Sequence, residues 1–228
     1  VTAVAASEVR LAARWRLLSL GFTPPTAETV TEVEALTEGL LEIESSPEIE
    51  EVIAAIRGAS VEELATQFHE LFGGTVRVSP YEGSYELDPV RQGRQMSDVA
   101  AFYRAFGAEP NGPGAERPDF VGCELEFLSF LELRRLTAVE AGEDVELLDE
   151  IAASFLIDHA GRWLPTFFAE VQAAASNASY HRVLAGLGAR ILDDELARRG
   201  ILPAALPHRT TRSSVEIDAF ECGSAASF

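Results

Sequence analysis

The chain has 228 residues, 47 % of them apolar, and carries 18 basic against 37 acidic side chains for a formal charge of -19. That balance excludes the clustered cations that a nucleic-acid backbone demands, so the expected partners are basic and no nucleic acid is among them. The basic residues are all arginine, which removes Schiff-base, phosphate-loop and general-base lysine chemistry from consideration.

Two cysteines, Cys123 and Cys222, make neither a disulfide framework nor a zinc spacing. A reduced, cytoplasmic setting is expected. No run reaches the ~18 uncharged apolar residues that span a bilayer, and Arg10, Arg14 and Arg16 interrupt the apolar N-terminal stretch. No signal peptide and no membrane insertion are therefore expected.

In chain order, residues 6–20 have helical period, with Val9, Ala13, Leu17 and Leu20 on one stripe, and end at Gly21 and Pro24-Pro25. Residues 29–43 repeat the pattern through Val30, Val33, Leu36, Leu40 and Ile43. Pro47 starts a helix to about Arg57. Ser60 with Glu63 forms a capping box for a helix that runs to Phe72 and stops at Gly73-Gly74. Residues 75–89, TVRVSPYEGSYELDP, alternate briefly with no second β-rich stretch to pair with, and read as an extended connector laid over the helices. Tyr81 and Tyr85 are its anchors, either as packed rings with bonded hydroxyls or as the rim of a binding groove.

Residues 90–107 form a helix with Met96, Val99, Ala100, Tyr103 and Phe106 on one side. A Gly/Pro-rich loop, 108–116, leads into RPDFVGCELEFLSFLELRRL at 117–136. Here Pro118 and Asp119 signal a helix start, the Asp119 carboxylate lying near the first amides. Val121, Leu125 and Leu128 share one side and Phe127, Phe130 and Leu131 cover much of the rest, so this helix belongs at the centre of the domain. Glu124 and Glu126 stand about 200° apart on it, and one of them is expected to face a groove, a partner or a capping amide.

A long helical pattern runs from Val145, with Ile151, Phe155, His159 and Trp163 on one stripe and a kink at Pro165. His159 reads first as a hydrogen-bonded core residue. Residues 176–199 give the last helix, with Tyr180, Val183, Leu184, Leu187 and Ile191 inside and Gly200 at its end; 201–228 read as a loosely docked tail. The fold class is all-α, a single domain of about eight to ten helices over residues 1–228, the connector separating a smaller N-terminal half from a larger C-terminal one.

Chemistry is sparse. His69, His159, His181 and His208 are scattered, with no metal-ligand spacing and no nucleophile elbow. Gly186 and Gly188 are a near miss of a dinucleotide fingerprint inside a helix, better explained by packing. Glu50-Glu51, Glu62-Glu63 and Asp193-Asp194 read as solvated faces. Glu124 and Glu126 read as the only carboxylates in an apolar setting. No enzyme activity, cofactor or metal is expected.

PYEGSY (80–85), FYRAFG (102–107), RPDFVGCELEFLSFL (117–131) and FLIDHAGRWLPTFF (155–168) fall in register. Together they resemble the TorD/DmsD/NarJ family of chaperones that mature molybdenum oxidoreductases. The likeness is nearest to the branch serving type II DMSO reductase-like enzymes. It implies a cytoplasmic, all-helical, non-catalytic protein that binds the apo catalytic subunit, often at a twin-arginine leader, and holds it for molybdopterin insertion. The family's loop motif reads Pro-Asp-His; Pro118 and Asp119 match and Phe120 replaces the histidine. His159 and Trp163 match a later His…Trp pair, and Glu124 and Glu126 the ELEFL element. The candidate partner-binding residues are Tyr81, Glu82, Tyr85, Tyr103, Arg117, Pro118, Asp119, Glu124, Glu126, His159 and Trp163. A monomer is expected, with domain exchange hinged at 108–116 as the alternative. The competing reading is a small-molecule or nucleotide-binding enzyme or sensor with a pocket near His159, Glu124 and Glu126.

Overall fold

A computed structural model of the chain describes residues 3–108, 116–177 and 179–206. Its helices are α1 (Ala3–Gly21), α2 (Ala27–Ile43), α3 (Pro47–Arg57), α4 (Val61–Phe72), α5 (Pro89–Ala105), α6 (Val121–Ala141), α7 (Glu146–Phe155), α8 (Gly161–Ala174) and α9 (Tyr180–Arg199). A 3-10 turn, Glu82–Ser84, interrupts the connector before α5, and a π turn, Leu156–Ala160, joins α7 to α8. The described residues contain no strand; Tyr81 and Phe120 form an isolated antiparallel bridge. The all-α expectation holds.

Local chemistry sets the boundaries. Ser60 Oγ accepts from Glu63 N while the Glu63 carboxylate accepts from Ser60 N at 2.7 Å, the reciprocal capping box expected from the sequence. Ser46 caps α3, with Pro47 in its first turn where a missing N–H costs nothing. Gly142 and Gly200 end α6 and α9 in the left-handed region, at φ 70° and 66°, where a Cβ would be strained.

α6 is the axis. α1 and α7 pack against it, and α9 lies against α8, α3 and α4. Trp15, Leu17, Leu18 and Phe22 from the α1 side meet Val121, Leu125 and Leu128 of α6 and the Phe155–Trp163–Phe167–Phe168 array in one contiguous core. Each such side chain contributes about 1.5–3 kcal/mol by leaving water. Helices before and after the connector share this core, so the connector is not a seam between separately packed halves.

Several expected details are corrected. In α1 the buried stripe runs through Ala12, Trp15 and Leu18 as well as Leu17 and Leu20, while Val9 is exposed: the indole sets the rotation of the helix. In α5 Met96 is exposed and Gln95 takes the inward place beside Val99 and Tyr103. α6 starts at Val121, the Pro118–Asp119 step forming a turn outside it. Pro165 sits within α8 without ending it, and the irregular turn falls earlier, at 156–160. α9 starts at Tyr180 rather than Ser176. Gly188 packs against Phe168, whose Cζ would lie 2.7 Å from an added Cβ, so packing does account for this glycine. Residues 109–115 of the proposed hinge, and 207–228 of the tail with His208 and Cys222, lie outside the described residues.

Candidate partner-binding site

The site is built where the connector meets the start of α6. Glu82 N donates to Asp119 O at 2.9 Å and Val121 N donates to Pro80 O at 2.9 Å. Phe120 stands at the N-cap of α6 with no side chain able to cap it, so the connector supplies an acceptor that the helix end needs. This explains a short alternating stretch without a partner strand.

Asp119 fixes the corner. Its side chain has no exposure, and Oδ2 accepts from Gly83 N at 3.2 Å. Arg117 closes over it as a fork, Nε to Oδ1 at 2.9 Å and NH2 to Oδ2 at 2.7 Å. The guanidinium carbon lies 4.6 Å from the Tyr81 ring centroid, a cation–π contact, and Tyr81 OH donates to Glu116 at 3.3 Å. A Cβ at Gly83 would stand 3.0 Å from Asp119 Oδ2, a tight contact that the carboxylate would have to yield to by a few tenths of an ångström. Tyr103 OH donates to Pro118 O at 2.9 Å, tying α5 to the same turn.

Beneath the corner lies a buried polar cluster. Glu82 is fully enclosed, with His159 Nδ1 at 3.2 Å from Oε2 and Gln95 Nε2 at 3.5 Å from Oε1. Glu124 is also fully enclosed; its Oε2 accepts from Trp163 Nε1 at 2.9 Å and its Oε1 has no partner among the described residues. Tyr85 OH lies 3.0 Å from Ser79 O and 3.0 Å from Glu170 Oε2. Burial first, and then the neighbouring Glu82 charge, push the Glu124 carboxyl well above the usual carboxylate range, against the pull of the Trp163 N–H. Burial, followed by Glu124, likewise raises the Tyr103 hydroxyl.

Two grooves flank α5. One, of about 510 Å³, is lined by Tyr103, Ala108, Cys123, Phe127, Phe130 and Leu133, with the Arg16–Glu126 ion pair on its rim. Burial holds the Cys123 thiol at about 12, so it is a poor nucleophile. The other, of about 570 Å³, has Phe102, Phe106 and Ile151 as walls, Gln95 and His159 in its lining, and Asp98, Asp158 and Arg162 around them.

The structure brings most of the sequence-derived residues together but gives them different places. Glu82, Tyr85, Tyr103, Asp119, Glu124, His159 and Trp163 are buried; Tyr81 and Pro118 are half-buried; Arg117 and Glu126 are exposed. Two expectations are corrected. Asp119 does not sit on the first amides of α6 but on Gly83 and Arg117. Glu124 and Glu126 are not the only carboxylates in apolar surroundings, because Glu82, Asp119, Glu132 and Glu195 are buried as well. Of the candidate carboxylates, Asp119 takes its hydrogen bonds from Gly83 and Arg117, and Glu124 takes one from Trp163, inside the fold. The sequence reading missed Gln95 and Phe102. Their signal was present in the Gln95–Val99–Phe102–Phe106 helical spacing, hidden by assigning the apolar Met96 to that face.

No described helix is long and apolar enough to cross a membrane. Among the described residues, no three His, Cys, Asp or Glu side chains are grouped to hold a metal ion.

Residues 34–169, which contain the corner and the residues lining the second groove up to Arg162, match the model of the nitrate reductase delta subunit family. The chain belongs to that family. It is 37 % identical over 107 residues to the selenate reductase assembly chaperone protein of Thauera selenatis, covering 47 % of this chain and 55 % of that protein. It is 36 % identical over 104 residues to the chlorate reductase assembly chaperone protein of Ideonella dechloratans, covering 46 % and 53 %. A third relative, at 30 % over 116 residues, is the perchlorate reductase assembly chaperone protein of Dechloromonas aromatica. The chain thus spans about half the length of the named relatives it matches. In fold it is similar to the crystal structure of a redox enzyme maturation protein from Archaeoglobus fulgidus, with TM-score 0.54 and 20 % identity over 80 % of this chain and 93 % of that one. The resemblance to the TorD/DmsD/NarJ chaperones therefore stands.

Proposed function

We propose that this chain is an assembly chaperone that binds the catalytic subunit of a molybdenum oxidoreductase in the cytoplasm before its molybdopterin cofactor is inserted, and that it catalyses no reaction of its own. The observation that carries the reading is the match of residues 34–169 to the family, over a stretch that includes the Arg117–Asp119 corner and the groove-bearing helix α5. Selenate, chlorate and perchlorate reductases name the assembly chaperones it is similar to, and an enzyme of that kind is the client we infer.

Open, aromatic-lined grooves with polar rims suit a polypeptide segment. A leader with paired arginines followed by an apolar stretch fits them, and the chain's charge of -19 speeds encounter with such a segment. The buried corner acts as a scaffold: it fixes the connector, α5 and α6 relative to one another, and hence the shape of both grooves.

The test is capture from the native host. A tagged full chain is expected to recover a cofactor-free molybdoenzyme subunit, and deleting the gene is expected to abolish that enzyme's activity. Recovery of no such subunit, with activity intact in the deletion strain, overturns the proposal.

A further inference from the structure

The described part of the chain ends at the edge of the second groove. Leu206 N donates to Arg162 O at 2.8 Å, and Thr166 Oγ1 donates to Leu206 O at 3.0 Å. Arg162 Nε donates to Ala204 O at 3.3 Å. Leu206 and Thr166 are both buried, so this exit is pinned to the start of α8. Arg162 itself lines the groove.

The groove has an order along its length. Gln95 and His159 meet at Glu82, while Phe102 lies 5.3 Å from Phe155, so α5 and the α7–α8 segment run past each other in opposite senses. The end nearest the exit therefore holds Asp158 and Asp98. Both are exposed in the lining and make no ion pair with a described residue. The far end holds Phe102, Phe106 and Ile151, half-buried apolar side chains whose open sides no described residue covers.

Residues 207–220, PHRTTRSSVEIDAF, have the complementary order. The cations Arg209 and Arg212 come first, and the apolar side chains Val215, Ile217 and Phe220 follow. Reach is sufficient. The fourteen residues from Leu206 to Phe220 extend to at most roughly 50 Å, against about 25 Å for the whole of α5.

We propose that residues 209–220 of this same chain occupy the second groove, so that an incoming polypeptide must displace them. The apolar stretch covers the ring-lined end, and the two arginines lie at the acidic end. A tethered segment needs only weak contacts to stay in place, because its short link keeps its local concentration high. The occupancy concerns this chain alone; its consequence for an incoming polypeptide rests on the chaperone reading above.

The test compares the full chain with two full-length variants, Ile217→Asp/Phe220→Asp and Arg209→Gln/Arg212→Gln. The readouts are the NMR resonances of the Ile151 methyl group and the Phe102 and His159 rings. Both variants are expected to move these resonances, equally at high and low protein concentration, while Phe130 and Leu133 in the first groove stay unmoved. Unmoved second-groove resonances in either variant, or movement confined to the first groove, overturn the proposal. So do differences that vanish on dilution, which would mean that a second copy supplies the segment. In titrations with a cofactor-free catalytic subunit, the apolar-stretch variant is expected to bind about tenfold more tightly than wild type, the gain from freeing a groove that is filled about nine-tenths of the time. Equal affinity overturns the competition. Moved groove resonances with no subunit bound by either protein overturn the chaperone reading alone.

Discussion

The indole N–H of Trp163 on α8 donates to Oε2 of Glu124 on α6 at 2.9 Å, with neither side chain exposed. This bond links the axis of the fold to α8, just after the π turn that carries the groove-lining His159. It also places a carboxyl where ionisation is unfavourable, first because Glu124 is itself buried and then because Glu82 is nearby.

Glu124 ionises near 4.5 when unfolded but well above that when folded, raised first by burial and then by Glu82. Above 4.5 the folded state therefore binds more protons than the unfolded one, and this residue's contribution to stability declines as pH rises until the folded value is passed. Glu124→Gln keeps an oxygen for Trp163 and removes the titration. It is expected to match or exceed wild type in urea stability at neutral pH, with a flatter profile above about pH 4.5. Glu124→Leu, which leaves the indole N–H unpaired, is expected to lose about 1–3 kcal/mol. A Gln variant that is much less stable than wild type at neutral pH would show that Glu124 is charged.

His181 shows the opposite sign. Its ring lies among Phe22, Phe68, Phe72 and Tyr180, neither ring nitrogen has a partner among the described residues, and burial lowers it to about 4. The unfolded chain takes up a proton near 6.5 that the folded chain refuses until about 4, so stability falls as pH drops through that window. The slope approaches about 1.4 kcal/mol per pH unit. His181→Phe is expected to make the acid limb of thermal unfolding shallower; an unchanged limb would place the ring in contact with water.

Arg199 holds three helices. It is 7 % exposed and reaches Glu195 on its own helix, Glu132 on α6 at 3.2 Å and the Asp149 carbonyl on α7 at 3.1 Å. Burial and the Glu195 charge lift Glu132 to about 6 even with this arginine beside it. Removing the cation takes from buried Glu132 its ion pair, while Glu195 keeps the fork from Arg198. Arg199→Met is expected to cost about 3–5 kcal/mol in denaturant unfolding. Adding Glu132→Gln and Glu195→Gln should recover part of that loss, whereas simple additivity of the three changes would deny the network.

At the corner, Asp119→Ala removes the acceptor for Gly83 N and for both arms of Arg117. Amide exchange at Gly83 and Val121 is expected to speed up by an order of magnitude or more while α9 amides are unaffected. Uniform acceleration through the molecule would mean the corner is part of the global core rather than a local clasp.

How much of this could be read from the chain depended on how local the cause was. α3 and α4 were legible to the residue, because Pro47, Ser60, Glu63 and Gly73 act on their own backbone. The burial of Phe155, His159 and Trp163 followed from their spacing and survived the π turn between them. The rotation of α1 and α5 was not legible: Val9 and Met96 are apolar and correctly spaced, yet Trp15 and Gln95 occupy the inward positions, a choice made by the helices packed against them. The buried carboxylates were the least visible. Glu82 sits in a turn, and only the folded chain brings it to His159 and Gln95, 77 and 13 residues away. Asp119 looked like a helix cap because its sequence position allows one; its actual donors come from 36 residues upstream and from the neighbouring arginine.

The central claim is that the chain holds a catalytic subunit that still lacks its cofactor. The most direct measurement is the mass in solution, by light scattering, of the full chain mixed with the catalytic subunit of the molybdoenzyme from its own organism, in cofactor-free and cofactor-loaded forms. The account predicts a complex with the cofactor-free subunit that is absent or much weaker with the loaded one. Equal binding to both forms, or to neither, would contradict it.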